Sequence, residues 1–117
     1  MKTALMAAFA VFFYAGAAWP QEKPFLAGQA TVTLSATGAS TAVQIQTGAS
    51  NPNLRVYNAG TVAVFISCGG AAVTAAVASA MPIAPGTVEV LGCAQTHVAG
   101  ITGGTAATVY LTPGSGL

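Results

Sequence analysis

Cys68, Cys93 and His97 are the side chains of this sequence best suited to bind a metal or react. Thiolate and imidazole suit zinc, but a tetrahedral site takes four ligands, and none stands at metal spacing from the Cys93-x3-His97 pair. Joined to each other, the two cysteines would close a loop of about 25 residues and add roughly 2–4 kcal/mol in an oxidising compartment. In a reducing compartment they would remain two buried thiols. The sequence leaves both states open.

Acid–base chemistry has even less to draw on. Glu22 and Glu89 are the only carboxylates, and there is no Asp. A glycosidase-type pair would have to recruit Glu22 from a linker across the domain. A triad of His97, Glu89 and a serine lacks any nucleophile-elbow sequence. The glycines of GITGGT and SCGG do not open a helix, so they do not form a phosphate cradle. We expect no enzyme, no cofactor and no metal, and we read His97 as a polar residue at a strand end.

Binding is the remaining chemistry, and Arg55, Tyr57 and Phe65 are its candidates. They lie in NLRVYNAGTVAVFISCG, Asn53 to Gly69, where Leu54 and Val56 alternate with Arg55 and Tyr57. Val62, Val64 and Ile66 then alternate with Ala63, Phe65 and Ser67. This period of two, broken at Asn58-Ala59-Gly60, predicts a β-hairpin whose turn uses the tolerance of Asn and Gly for positive φ. Its outward face would carry Arg55 and Tyr57 with Phe65 beside them, an anchor set for a protein interface. The plainer alternative is a strand face whose charge keeps an edge from mispairing.

The elements around this stretch are also strands. Thr31, Thr33 and Ser35 alternate against Val32 and Leu34, and Ala42, Gln44 and Gln46 alternate against Val43 and Ile45. The two TGAS turns, at Thr37 to Ser40 and Thr47 to Ser50, have the spacing of an antiparallel meander. Ala71 to Gly86 is Ala-rich, but Pro82 and Pro85 exclude a regular helical end, so an edge strand or irregular crossing is expected, with a turn at Pro85-Gly86. Val88 and Val90 are read as inward with Glu89 outward. His97 to Thr102 follows, and Ala107, Val109 and Leu111 share a face opposite Thr108 and Tyr110, with Pro113-Gly114 ending the strand. Roughly seven or eight short strands predict an all-β antiparallel β-sandwich, jelly-roll or immunoglobulin-like, spanning residues 29–117.

Composition narrows the partners. Of 117 residues only 4% are charged, against about 25% in an ordinary domain, and the net charge is +1. Lys2, Lys23 and Arg55 cannot build the basic patch that nucleic acid requires. A neutral surface of small residues tends to associate, so a homo-oligomer is expected; the competing picture is a secreted monomer kept soluble by hydroxyls.

Residues 1–28 are a hydrophobic segment and linker. Lys2, the apolar run Ala4 to Tyr14 and Ala15-Gly16-Ala17 outline a signal peptide cleaved near Ala17 or Ala18. Retained, the segment would be a helical arm that packs on other subunits, or a membrane anchor. Glu22 to Gly28 reads as the linker.

The motifs LRVYNAGTVAVFISCG, MPIAPGTVEVLG followed by THVAGIT, and the ending GGTAATVYLTPGSGL resemble small β-rich virion proteins of tailed bacteriophages. The resemblance covers about Ala30 to Leu117. It implies a non-enzymatic virion protein on the capsid surface, a head decoration or cement subunit whose partners are the major capsid protein or other virion proteins. It supplies no catalytic residues. A tail or fibre adaptor that binds a receptor is one alternative, and an exported, periplasmic envelope or adhesion module is another. Tailed phages assemble in the cytoplasm and need no export signal, so within this family the N-terminal segment would be an arm docked on neighbouring subunits.

Overall fold

The computed structural model describes residues 24–116. The expected signal-like segment or helical arm, with its cleavage site, lies outside the described residues. Within them the chain forms nine strands and no helix: β1 (Leu26–Ala27), β2 (Val32–Ala36), β3 (Thr41–Gln44), β4 (Asn53–Asn58), β5 (Val64–Gly69), β6 (Met81–Ile83), β7 (Val88–Gly92), β8 (His97–Ile101) and β9 (Ala107–Ser115). Leu26 and Ala27, expected in the linker, already pair with Ser115 and Gly114.

The described residues are all-β, with two antiparallel sheets. One has the order β2-β9-β4-β7, with β1 on the same side of β9 as β2; the other runs β3-β8-β5-β6. Alternation works as expected in most strands, because every second side chain must leave water. Leu34, Leu54, Val56, Val109 and Leu111 of the first sheet meet Val64, Ile66, Ile83 and Val98 of the second in one cluster. Burying each such side chain contributes roughly 1.5–3 kcal/mol, which offsets backbone ordering of about 1–2 kcal/mol per residue.

The expected central hairpin does not form. β4 pairs with β7 and β9, whereas β5 pairs with β6 and β8, so residues 59–63 carry the chain from one sheet to the other. The meander fails for the same reason: among consecutive strands only β5 and β6 pair. The two TGAS segments likewise carry the chain between sheets. Buried polar side chains hold these corners. The Asn58 amide donates to the carbonyls of Val62 at 2.9 Å and Ile83 at 3.0 Å, and its oxygen accepts Gly60 N–H. Gly60 does not have positive φ. It is needed because a Cβ there would lie 2.5 Å from the Ala107 Cβ. Gln46, expected outward, is buried and donates to Gln95 and Asn51 carbonyls. Buried Thr102 donates its N–H to Thr37 carbonyl and accepts Gly104 N–H.

Two other expectations are corrected by register. Val56 pairs with Glu89 and Tyr57 with Val88, so Val88 and Val90 point outward and Glu89 falls on the inward side. Alternation sets a strand's period but not its phase. Glu89 stays solvated because β7 is an edge strand. Pro113-Gly114 does not end the last strand, which continues to Ser115. Ala27 pairs with Gly114 and Val32 with Leu111, so residues 28–31 bulge opposite residues 112–113. Pro113 lacks an N–H to donate, and a bulge is where a strand tolerates that; its carbonyl accepts Gly28 and Gln29 N–H. Gly114 lets the β1 backbone approach, since a Cβ would meet the Leu26 carbonyl. The Ala84 to Thr87 turn forms as expected, with Gly86 at φ 73° after Pro85.

Residues 70–80 form an irregular crossing that leads into edge strand β6. Ala75 N–H reaches Ser40 Oγ at 2.9 Å, beside β3. By register with Ser67 and Ala42, Ala99 points outward from the second sheet, yet it is 0% exposed. The crossing passes over this face from the β5 end toward β3. Among the described residues no such crossing covers the first sheet's outer face.

Candidate functional site

That open face is built by alternate residues of four strands. β4 supplies Arg55 and Tyr57, β9 supplies Thr108, Tyr110 and Thr112, β2 supplies Thr33 and Ser35, and β7 supplies Val88 and Val90. Tyr57 and Tyr110 are directly opposite each other, with ring centroids 6.0 Å apart and planes 17° from parallel. Tyr57 is 36% exposed and Tyr110 39%. Arg55, also exposed, pairs with Thr112 on one side and Val90 on the other. Thr112 is tied by its hydroxyl to that of Thr31 at 2.7 Å. The face therefore has an aromatic centre, a hydroxyl flank and an aliphatic flank.

Arg55 and Glu89 are the only Arg, Lys, Asp or Glu among the described residues. Register sets them on opposite faces of the sheet, so among the described residues no carboxylate shares the open face with the guanidinium. An Arg that shares a sheet face with two tyrosines suits a partner that brings a carboxylate or a carbonyl-rich surface.

Phe65 is not part of this face. It is half-buried in the second sheet, paired with Pro82 and Ile101. The expected trio thus divides into Arg55 with Tyr57 on one sheet and Phe65 on the other. Tyr110 and Val88 take the place given to Phe65. The alternation of the last strand had already set Tyr110 with Thr108 on one face; only the pairing of β9 with β4 makes Tyr110 a neighbour of Tyr57.

Cys68 and Cys93 form a disulfide, with Cα atoms 5.9 Å apart. Cys68 is in β5 and Cys93 follows β7, so the bond joins the two sheets. As a disulfide, neither sulfur can act as a thiolate ligand. Among the described residues no three His, Cys, Asp or Glu gather as a metal site. His97 contacts Thr96 Oγ through Nδ1 at 2.8 Å and pairs with Gln44 and Gly69, while Glu89 is in the other sheet. The triad's members are not brought together. Two shallow depressions, one lined by Phe25, Leu26 and Ser115 and the other by Ser35, Gly60 and Thr108, have no charged side chain in their walls. No helix among the described residues is long and apolar enough to cross a membrane.

No family model, curated protein or solved structure matches this chain.

Proposed function

We propose that this chain is a non-enzymatic structural subunit of a bacteriophage particle, a decoration or cement protein that bridges shell proteins on the capsid surface. The observation that carries this reading is the open face around Tyr57 and Tyr110, on which Arg55 is the one charged side chain among the described residues. Aromatic and Arg side chains on a flat, weakly charged surface are what protein interfaces enrich. The finer fold reading is compatible with it. The two sheets are read as a β-sandwich of jelly-roll type, because β2-β9-β4-β7 and β3-β8-β5-β6 is the order produced by winding paired strands around one core. Jelly rolls serve in capsids and in lectins, so the fold by itself does not choose between them.

Shells assembled without this chain, from the phage that encodes it, test the proposal. Purified chain is expected to co-sediment with them, and Arg55→Glu or a Tyr57→Ser/Tyr110→Ser double variant is expected to lose most of that binding while staying folded. Wild-type chain that ignores the shells would end the proposal.

A second reading rests on the Cys68–Cys93 disulfide. Disulfides persist in oxidising surroundings, which include virion surfaces but also the periplasm and cell exterior. An exported envelope or adhesion module would therefore carry the same bond. The mass of the mature N-terminus separates the two: an intact Met1 peptide excludes signal cleavage, and a chain starting after Ala17 or Ala18 supports export.

A further inference from the structure

We infer that the outer edge of β2 is a seam between two copies of this chain, paired antiparallel, strand to strand. The inference holds whether or not the chain decorates a shell.

An edge strand presents unpaired N–H and C=O groups, and proteins guard such edges with charge, proline, bulges or covering chain. Three edges of this molecule are guarded. β6 contains Pro82, β7 contains Glu89, and β3 adjoins the 70–80 crossing held by Ala75 N–H on Ser40 Oγ. The short β1 is set off from β2 by the bulge at residues 28–31. Among the described residues Val32–Ala36 has none of these protections. It is a regular run of five residues, VTLSA, without charge, proline or glycine, and among the described residues it pairs only with β9.

The residues of β2 also suit pairing with themselves. Centred on Leu34, an antiparallel match sets Thr33 opposite Ser35 of the second copy on the outer side and Val32 opposite its Ala36 on the inner side. Hydroxyl meets hydroxyl and apolar meets apolar, the combinations that stabilise cross-strand neighbours. The same operation on β7, centred on Val90, would crowd the two Glu89 carboxylates onto one inward side, a like-charge arrangement. Leu26 gives a second reason. It is 71% exposed and lies on the same side of β9 as β2, where a second copy would shield it. A five-residue seam is about 17 Å long, a small interface, so dimerisation should depend on concentration.

Sedimentation velocity of the full chain, from low to high micromolar and with no shell protein present, tests the seam. The wild type is expected to shift from monomer to dimer. Thr33→Lys with Ser35→Lys is expected to stay monomeric with an unchanged far-ultraviolet spectrum. Thr108→Lys, which adds charge to the same face on interior strand β9, is expected to dimerise like the wild type. A wild type that stays monomeric, a Lys double variant that still dimerises, or a Thr108→Lys variant that dissociates equally would each overturn the inference. If the Lys double variant fails to fold, mixing Thr33→Cys with Ser35→Cys chains under a mild oxidant decides. A covalent dimer through residues 33 and 35 supports the seam, and its absence refutes it. Shell binding is read separately, so the failure of one proposal is not mistaken for the failure of the other.

Discussion

Asn58, the last residue of β4 in one sheet, donates its side-chain amide to the carbonyl of Ile83, the last residue of β6 in the other, at 3.0 Å. The same amide serves the Val62 carbonyl, and no buried side-chain nitrogen or oxygen among the described residues lacks a partner. Asn58→Ala leaves two carbonyls and Gly60 N–H unpaired and should cost about 1–3 kcal/mol. Asn58→Asp should cost more, because a buried carboxylate has no N–H to offer those carbonyls. Urea unfolding midpoints check both; a midpoint for Asn58→Asp equal to wild type would show that the corner is held by something else.

Joining the sheets through Cys68 and Cys93 restricts the unfolded chain as well as the folded one. Their separation is 25 residues, and opening such a loop typically costs about 2–4 kcal/mol. Reductant, or Cys68→Ala with Cys93→Ala, is therefore expected to lower the denaturation midpoint by corresponding amounts. Oxidised protein unfolded without reductant should take up no alkylating reagent, and labelling of both cysteines under those conditions would contradict the bond.

Glycines divide into those the fold needs and those it merely tolerates. A Cβ at Gly100 would fall 2.6 Å from Leu34 Cδ2, in the cluster where the sheets meet. Gly100→Val should destabilise by at least about 1–3 kcal/mol through overpacking. Gly48 has nothing within 4 Å and no positive φ, so Gly48→Ala should be neutral within about 0.5 kcal/mol. Thermal unfolding of the two variants side by side makes the comparison.

The Tyr57–Tyr110 stack should matter far more for binding than for folding. A double-mutant cycle to Ser on the free protein is expected to give a coupling of about 0.5–1.5 kcal/mol. Leu111→Ala, in the same strand as Tyr110 but facing the core, should cost about 2–5 kcal/mol. Stability losses of similar size at Tyr110 and Leu111 would mean that the tyrosine face is part of the core.

Much of the strand content is legible because alternation needs only neighbours in the chain. Val32 against Thr33, Leu54 against Arg55 and Val109 against Tyr110 each show which side must leave water. The hairpin reading fails at Asn58-Ala59-Gly60 because Asn and Gly suit a tight reversal and a sheet-crossing corner equally well. What separates them is whether Asn58 finds Ile83, 25 residues away. The phase of Val88-Glu89-Val90 is hidden for a related reason: among the described residues β7 pairs only with β4, and an edge strand's solvated Glu is compatible with either side.

By itself, the order of residues determines the all-β character of residues 24–116, the alternating inward positions of most strands, the turn at Pro85-Gly86, and a chain of which only 4% is charged. Those properties are local, or sums over composition. Which sheet each strand joins, the covering of the second sheet by residues 70–80, the meeting of Tyr57 with Tyr110 and the loss of Phe65 from their company are decided only in three dimensions. The reason is that period-two alternation specifies that a side chain must be buried but not against what. That choice belongs to contacts between residues far apart in the chain, which become favourable only once the core has closed around Leu34, Val56, Val64 and Leu111.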